Sequence, residues 1–339
     1  MTSLAENLIQ IEQGSVLSEG EMEAIMRDIM HGKVNDAEIT RLLTQLAQRG
    51  ESVSEITGAA RIMREMASTI KAPDNALDCC GTGGDGTGTY NISTAVALVS
   101  AACGVPVAKH GNRASSSKSG AADVLEALGV KLDLSNEKLE EALEKFNFCF
   151  LMAPHHHQST RHVMPVRKEL GFRTIFNLLG PLANPAGTNF QLMGVFDKKW
   201  VRPIAEVLGN LGTKRAWVVH GRDGLDEITT TSATDIAVLD NGTVTEKTIS
   251  PEDFGLNIAR AEDLKGGNAQ ENAEALRALL SGEKNAYRDI VLANTSAVLN
   301  ISAKANDLKD GVSLAAKAID NGDALKVLDK YIAFTGDHS

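Results

Sequence analysis

The sequence predicts an α/β protein in which a small N-terminal helical bundle domain precedes a large domain with a mostly parallel central sheet. Two patterns lead to this prediction. In residues 1 to about 72, apolar side chains recur only at helical spacing, whereas from Ala76 onward short apolar strands alternate with helices. The run Ala72-Pro73-Asp74-Asn75 breaks the helical pattern and marks the boundary. A chain of 339 residues is long enough for two such domains.

The N-terminal segment contains three predicted helices, and each begins with a capping box in which a Ser or Asn precedes a Glu by three positions. The pairs are Ser18 and Glu21, Asn35 and Glu38, and Ser52 and Glu55. Apolar residues follow each pair at helical spacing, so each helix has one apolar face. Short helices joined by short loops indicate a bundle.

The rest of the chain alternates between the two kinds of element. The predicted strands are residues 76–80, 106–110, 148–152, 191–195 and 216–220, and the predicted helices are residues 92–103, 121–128, 135–146 and 201–211. This order is typical of a parallel sheet that binds ligands at the carboxyl ends of its strands. Asn241-Gly242 predicts an antiparallel hairpin. From about Asn268 the pattern is mostly helical.

One segment interrupts the alternation. Around residues 158–184 a helical stretch is followed by Gly171 and by a turn-rich run, and we expect this segment to pack back on the bundle. We therefore predict a helical domain of residues 1–73, joined by an inserted segment at about 160–185. The α/β domain comprises residues 74–159 and 186–339.

Charge and composition limit the classes of function. A formal net charge of −10 argues against nucleic acid as the main partner, because phosphate-backbone binding requires a basic face. The N-terminus lacks the basic start and apolar core of a signal peptide, and no apolar stretch of about 20 residues could span a bilayer. The four cysteines have no CxxC spacing and are expected to be reduced thiols. We expect a cytoplasmic protein without a membrane or nucleic-acid partner.

Two loops rich in small residues predict an anion site. Residues 81–88 contain five glycines, and residues 109–120 combine Lys and Arg with Gly and Ser. No Asp or Glu occurs between Gly86 and Ala122. Such loops offer backbone N–H groups, hydroxyls and cations together, which favours phosphate. Ser93 or Thr94 could cap the helix that follows the first loop and could also bind the phosphate or its metal.

The first loop formally matches the dinucleotide fingerprint GxGxxG, but this match alone is weak. A dinucleotide site also needs an acidic residue about 20 positions further on, and residues 101–111 contain none. Asp85 within the loop would repel a bare pyrophosphate unless a cation lies between them. The sequence also lacks the GxxxxGK[ST] motif of nucleotide hydrolases.

Two further motifs bear on metal binding. Asp226 and Glu227 follow the predicted strand 216–220, and their hard oxygen atoms together with phosphate oxygens suit Mg²⁺. His155-His156-His157 and His162 could suggest a transition-metal site. However, three consecutive residues do not converge on one ion with an ordinary backbone, so we expect a polar loop near the substrate. His110 is either a packed histidine or a weak candidate for a general base.

Taken together, residues 81–94, 109–129, 162–185 and 220–229 closely resemble the anthranilate phosphoribosyltransferases, in that family's order and spacing. The resemblance implies the fold of the pyrimidine-nucleoside phosphorylases, an active site in the hinge cleft and a homodimer formed through the helical domain. It also implies the reaction: phosphoribosyl pyrophosphate and anthranilate give phosphoribosyl-anthranilate and pyrophosphate, a step of tryptophan biosynthesis.

The resemblance further implies roles for single residues. Phosphoribosyl pyrophosphate would be held by Gly81, Gly84, Asp85, Thr89, Asn91, Ile92, Ser93, Thr94, Lys109, His110, Gly111, Asn112, Arg113, Ala114, Ser115, Ser116, Ser117 and Ala121. Mg²⁺ would be bound by Ser93, Asp226 and Glu227. Anthranilate would face Gly81, Asn112 and Arg167, with Arg167 as the cation for its carboxylate.

The chain departs from the family at one place. Many members have His-Pro-Ala-Met after Ala-Pro and two variable residues, whereas this chain has His157-Gln158-Ser159-Thr160. The difference bears on the channel through which anthranilate enters and not on the reaction. Two alternatives stay open. One is a nucleoside phosphorylase of the same fold, which the Asp226–Glu227 pair disfavours. The other is a non-catalytic relative that binds nucleic acid, which the negative charge disfavours.

Overall fold

The computed structural model describes residues 3–114 and 118–337. Its N-terminal part contains the helices α1 (Leu4–Glu12), α2 (Glu19–Met30), α3 (Asp36–Arg49) and α4 (Val53–Glu65). The three capping boxes predicted for α2, α3 and α4 are all formed. The sequence analysis missed α1, which begins with a fourth capping box between Ser3 and Glu6.

A seven-stranded sheet forms the centre of the second part, in the order β3-β2-β1-β4-β5-β6-β7. The strands are β1 (Leu77–Gly81), β2 (Val107–Gly111), β3 (Phe148–Met152), β4 (Phe190–Gly194), β5 (Arg215–Gly221), β6 (Thr234–Asp240) and β7 (Thr243–Ile249). The first five strands in this order run parallel, and β6 and β7 are antiparallel. The predicted hairpin is present: Asn241 and Gly242 adopt φ values of 46° and 86°, as a type I′ turn requires.

Eleven further helices lie in the described part of the chain. They are α5 (Ile92–Ala102), α6 (Ala121–Ala127), α7 (Asn136–Phe146), α8 (Ala153–His156), α9 (Met164–Leu170), α10 (Phe176–Leu182), α11 (Val201–Asn210), α12 (Ala269–Leu280), α13 (Ala286–Ile301), α14 (Leu308–Asp320) and α15 (Asp323–Gly336). The mostly helical C-terminal part is as predicted. None of the helices in the described residues is long and apolar enough to cross a membrane.

The sheet divides the apolar core into two layers, because alternate residues of a strand point to opposite faces. Trp217 and Val219 of β5 pack in a cluster with α5, α13, α14 and α15. Ala216 and Val218 of the same strand pack on the other face with α11, and this second cluster continues into the N-terminal bundle. The bundle therefore shares apolar side chains with one face of the sheet.

Helices α9 and α10 pack on the bundle, since their buried residues belong to the same cluster as those of α2, α3 and α4. Arg64 of α4 fixes this arrangement. Its guanidinium donates to the carbonyl oxygens of Leu182 (2.6 Å) and Leu211 (3.2 Å), at the carboxyl ends of α10 and α11. A cation is favoured there by the helix dipoles, although burial lowers the pKa of Arg64 to about 10. The exact domain limits, 73/74 and 160–185, stay a prediction.

Candidate active site

The carboxyl ends of the parallel strands bring the predicted loops together. The glycine loop, residues 81–89, follows β1, and the serine loop, residues 112–120, follows β2. The Asp226–Glu227 pair follows β5 and lies against the glycine loop. Asp226 Oδ2 accepts a hydrogen bond of 2.7 Å from the Gly83 N–H. Three segments far apart in sequence thus meet at one edge of the sheet.

Two paired glycines create the space that Asp226 occupies. Gly81 and Gly194 are register partners at the ends of β1 and β4. A Cβ on Gly81 would lie 2.3 Å from Asp226 Oδ2, and one on Gly194 would lie 1.5 Å from the Asp226 carbonyl oxygen. Real Cβ atoms do not approach so closely. The position of the carboxylate therefore depends on the absence of side chains at both strand ends.

The glycine loop has a backbone conformation that suits only glycine at four positions. Gly83, Gly84, Gly86 and Gly88 have φ values of 65°, 73°, 76° and 66°. Asp85 stabilises the turn from within, because its carboxylate accepts bonds from Thr87 N (3.1 Å) and Thr87 Oγ1 (2.7 Å). Such a run of successive turns can direct backbone N–H groups into one concave surface.

The two carboxylates are held in an unfavourable electrostatic setting. Burial and the neighbouring Asp85 carboxylate raise the pKa of Asp226, while the Gly83 N–H opposes this. Burial and then Asp226 raise the pKa of Glu227 to about 8, against the opposing effects of Lys109 and the Ser93 N–H. Crowded carboxylates of this kind are relieved by a divalent cation.

The donor set fits Mg²⁺ better than a metal that needs a complete protein cage. In residues 3–114 and 118–337, no three His, Cys, Asp or Glu side chains are grouped as metal ligands. Mg²⁺ is usually held by one or two carboxylates together with water and substrate phosphates. Asp226, Glu227 and the Ser93 hydroxyl supply such a partial set.

Lys109 is buried behind this set, with 1% of its surface exposed. Its ammonium donates to the Cys79 carbonyl (2.7 Å) and to Ser93 Oγ (3.1 Å). It therefore crosses from β2 beneath the end of β1 to the start of α5 and offsets the charge of Glu227. Direct contact between Lys109 and phosphate stays a prediction.

Asn91 occupies the N-cap position of α5, so the expectation that Ser93 or Thr94 lies there was wrong. The Asn91 side chain makes no capping bond. Instead, its Nδ2 donates to the Ser119 carbonyl (3.2 Å) and its Oδ1 accepts from Asn272 Nδ2 (2.9 Å), which joins α5 to the serine loop and α12. The side chains of Ile92 and Thr94 are buried, so only their backbone could face a ligand.

The serine loop is closely packed where the structure describes it. A Cβ on Gly111 would lie 2.7 Å from the Phe150 ring, and one on Gly120 would lie 2.4 Å from Ala114 N. Ala121 begins α6 directly after this loop. Ser115, Ser116 and Ser117 lie outside the described residues.

The Arg113 guanidinium pairs with Asp123 (3.3 Å) and Glu126 of α6. The two carboxylates of α6 therefore neutralise its charge. Any contribution of Arg113 to phosphate binding would come from its backbone. The preceding Asn112 accepts from the Arg113 N–H (2.7 Å), which fixes the amide that was predicted to face anthranilate.

A cavity of about 380 Å³ lies beside the glycine loop, and it reveals a segment that sequence reasoning missed. Its walls are residues 84–89 and 118–119 on one side and residues 265–267 on the other. Thr89 and Lys265 form an antiparallel bridge, and Gly266 N donates to the Gly88 carbonyl (3.0 Å). The available signal was the run Lys265-Gly266-Gly267 just before the capping residue of α12.

Arg167 provides an available cation on the inserted segment. It lies on α9, half-buried, with its guanidinium carbon 5.3 Å from the centre of the Phe176 ring. Its Nη1 lies 3.6 Å from Met164 Sδ, and among the described residues no carboxylate forms an ion pair with it. Burial lowers the pKa of Arg167. A partly desolvated cation without a protein counter-ion is suited to bind a carboxylate ligand.

His110 and His156 are each held by a backbone carbonyl, and His110 packs against His157. His110 is buried, its Nδ1 lies 3.1 Å from the Gly180 carbonyl, and its ring is 5.2 Å from that of His157. Burial lowers the pKa of His110 to about 3, so it would be a weak general base. His156 instead hydrogen bonds to the Ser68 carbonyl (2.6 Å), which separates it from His157.

Comparison with known families agrees with this architecture. Residues 73–325 match the family described as "Glycosyl transferase family, a/b domain", and residues 6–67 match "Glycosyl transferase family, helical bundle domain". The fold and the site thus define a glycosyltransferase of the class that combines these two domains.

Full-length relatives narrow the class. The chain is 55% identical to the anthranilate phosphoribosyltransferase of Rhodospirillum rubrum, over 97% of this chain and 95% of that protein. It is 54% identical to that of Azospirillum brasilense, over 99% and 94%. The chain belongs to the anthranilate phosphoribosyltransferase family, as its sequence predicted.

Solved structures support the same assignment. The crystal structure of the Thermus thermophilus enzyme of this name aligns with a TM-score of 0.91 at 45% identity, covering 97% of this chain and 99% of that one. The Saccharomyces cerevisiae enzyme, solved in complex with PRPP and Mg, aligns with a TM-score of 0.86 at 28% identity over 94% of both chains. The predicted fold class is confirmed.

Proposed function

We propose that the chain transfers the phosphoribosyl group of 5-phosphoribosyl 1-pyrophosphate to the amino nitrogen of anthranilate. The products are N-(5-phosphoribosyl)anthranilate and pyrophosphate, in tryptophan biosynthesis. The observation that supports this proposal is the contact of Asp226 with the glycine loop, because a carboxylate pair beside a loop of glycine N–H groups suits Mg²⁺ together with phosphate. The names of the full-length relatives support the choice of substrates.

The bond that breaks joins the anomeric carbon to pyrophosphate, and negative charge gathers on the departing group. Ser93, Asp226 and Glu227 would hold Mg²⁺. When bound, this ion would supply positive charge at the pyrophosphate. The glycine-loop N–H groups would bind the same oxygens. Lys109 would hold Ser93 in place, and its charge lowers the pKa of Glu227 and so favours the ionised form that binds a metal.

The amino group of anthranilate is neutral and nucleophilic, so the reaction requires no strong base. This agrees with the lowered pKa of His110. Arg167 would bind the anthranilate carboxylate, and Asn112 and Gly81 would line the same place. Most of the rate would then come from holding the two substrates in one cleft. Closure of the cleft about the hinge would exclude water, which would otherwise hydrolyse the sugar pyrophosphate.

We also propose a homodimer formed through the helical domain. Ile9 of α1 and Val16 just after it are 48% and 56% exposed, and they place two apolar side chains on the surface of the bundle. Sedimentation of the wild type and of a double variant, Ile9→Lys with Val16→Lys, tests this: the variant should sediment as a monomer. The proposed site of action is the cytoplasm.

The decisive experiment follows anthranilate fluorescence after addition of phosphoribosyl pyrophosphate, with and without Mg²⁺. Consumption of anthranilate that requires both additions supports the proposal. Phosphorolysis of a pyrimidine nucleoside without Mg²⁺ would favour the nucleoside phosphorylase alternative. Arg167→Ala should raise the KM for anthranilate strongly. Arg202→Ala, which removes a surface arginine paired with Glu206 and Glu246, is the matched control and should leave it unchanged.

A further inference from the structure

Arg173 joins the inserted segment to the glycine loop. It lies between α9 and α10, and its Nη2 donates a hydrogen bond to the Gly84 carbonyl oxygen. The closeness is also evident from the space around Gly84, where a Cβ would lie 3.6 Å from Arg173 Nη2. Among the described residues no carboxylate forms an ion pair with Arg173. Its cation is therefore directed at a backbone carbonyl.

A second contact holds the guanidinium in this position. Its carbon lies 4.2 Å from the centre of the Phe196 ring, a favourable cation–π geometry. Phe196 is in turn tied to the loop, because its N–H donates to Thr82 Oγ1 (3.0 Å). The chain of contacts runs from Thr82 through Phe196 and Arg173 back to Gly84. It encloses the first turn of the glycine loop.

The contact determines how one peptide group of the loop is oriented. All described peptide bonds are trans, so the Gly84 carbonyl and the Asp85 N–H point in opposite directions. Since Arg173 holds the carbonyl on its own side, the Asp85 N–H is directed to the other side. Residues 84–89 line the cavity beside the loop. Gly83 and Gly84 adopt positive φ values, and because glycine has no Cβ their backbone would have wide conformational freedom without the Arg173 contact.

We infer that Arg173 is a positioning residue for phosphoribosyl pyrophosphate. By binding the Gly84 carbonyl and stacking on Phe196, it directs the Asp85 N–H toward the pyrophosphate. This inference rests on the proposed function, because it takes that substrate as the ligand of the cavity. Arg167, on the same inserted segment, would serve anthranilate. One segment would thus contribute an arginine to each substrate.

The test compares Arg173→Ala, Arg173→Lys and Arg202→Ala with the wild type. We expect Arg173→Ala to raise the KM for phosphoribosyl pyrophosphate at least about tenfold and to leave the KM for anthranilate within about twofold. Arg173→Lys keeps a charge but loses the planar stack, and should lie between. Guanidinium ion added to Arg173→Ala should restore part of the loss by occupying the vacated position, whereas the selective change in one KM is the readout that a purely structural role would not give. Arg202→Ala should match the wild type.

The outcomes separate this inference from the proposed function. A wild type that consumes no anthranilate would overturn the proposed function, whatever the variants do. An active wild type with an unchanged KM for phosphoribosyl pyrophosphate in Arg173→Ala would overturn the inference alone. So would an equal rise in both KM values, since that indicates a general effect on the cleft. If Arg173→Ala does not fold, Phe196→Leu serves instead and should raise the same KM selectively.

Discussion

Gly81 and Gly194 both lie against Asp226, so a methyl group added at either position tests how this carboxylate is held. The two substitutions should have different effects. In Gly81→Ala the new Cβ meets the Asp226 carboxylate, which can turn. The carboxylate must retreat by about 1 Å to reach an ordinary contact distance, and it then loses its 2.7 Å bond with the Gly83 N–H. A displacement of this size at a reacting centre costs about 100-fold in rate. We expect a loss of that order in kcat/KM, a higher Mg²⁺ requirement and a folded protein.

In Gly194→Ala the new Cβ meets the Asp226 carbonyl oxygen at 1.5 Å. A backbone atom cannot turn aside, so the whole segment after β5 must shift. Forcing a methyl group into a packed site costs about 3 kcal/mol at the upper end of the usual range. We expect this variant to lose stability as well as activity, measured as a lower urea midpoint.

Circular dichroism tests whether each variant is folded, and urea titration measures its stability. The fluorescence assay at varied Mg²⁺ measures its activity and metal requirement. Gly20→Ala is the control, because Gly20 lies in α2 with nothing within 4 Å of a Cβ. That change should leave the urea midpoint and the Mg²⁺ dependence close to those of the wild type, because the new Cβ meets no other atom. The reasoning is refuted if Gly81→Ala keeps the wild-type Mg²⁺ dependence, or if Gly194→Ala is as stable as the wild type.

Three further changes test other parts of the molecule. Arg222 lowers the pKa of Asp235, helped by Lys198, so this carboxylate contributes stability above pH 4 that is lost as the pH falls. Asp235→Asn should lower the melting temperature at pH 7, and the difference should shrink by pH 3. Lys265→Ala should raise the KM for phosphoribosyl pyrophosphate and not that for anthranilate, because Lys265 lines the cavity beside the glycine loop. Glu55→Gln should lower the free energy of unfolding in urea by about 3 kcal/mol, because buried Glu55 accepts from Leu17 N and pairs with Arg49. The half-buried capping residue Glu38 should tolerate the same change.

Local sequence signals predicted most of the fold. The capping boxes marked the starts of α2, α3 and α4, because a helix N-terminus needs particular side chains within a few residues. The strands were placed within a residue or two, and β1 and β2 extend to Gly81 and Gly111. Helix α1 was missed because its capping pair lies at the very start of the chain, before any pattern had been established.

The site was predictable in its parts and less so in its contacts. The glycine loop and Asp226 each have a local signature, and their meeting follows from the parallel strand order. The requirement for glycine at position 194 could not be predicted from the sequence, because it depends on the register between β1 and β4. Lys265 lies far along the chain, and only the folded structure brings it to the loop. Arg113 was predicted to contribute to phosphate binding. The sequence did not show that its guanidinium pairs with Glu126, because this contact depends on how the loop folds against α6.

The apolar cluster shared by the bundle and α11 limits how the cleft can move. A bundle that swung away from the sheet would expose Ala59 and Leu46 of the bundle and Ile204 of α11 to water, all of them fully buried. Motion that keeps these surfaces in contact avoids that cost. Closure of the cleft should therefore keep the apolar surfaces of the bundle and α11 in contact, and a crosslink that prevents their separation should leave turnover intact.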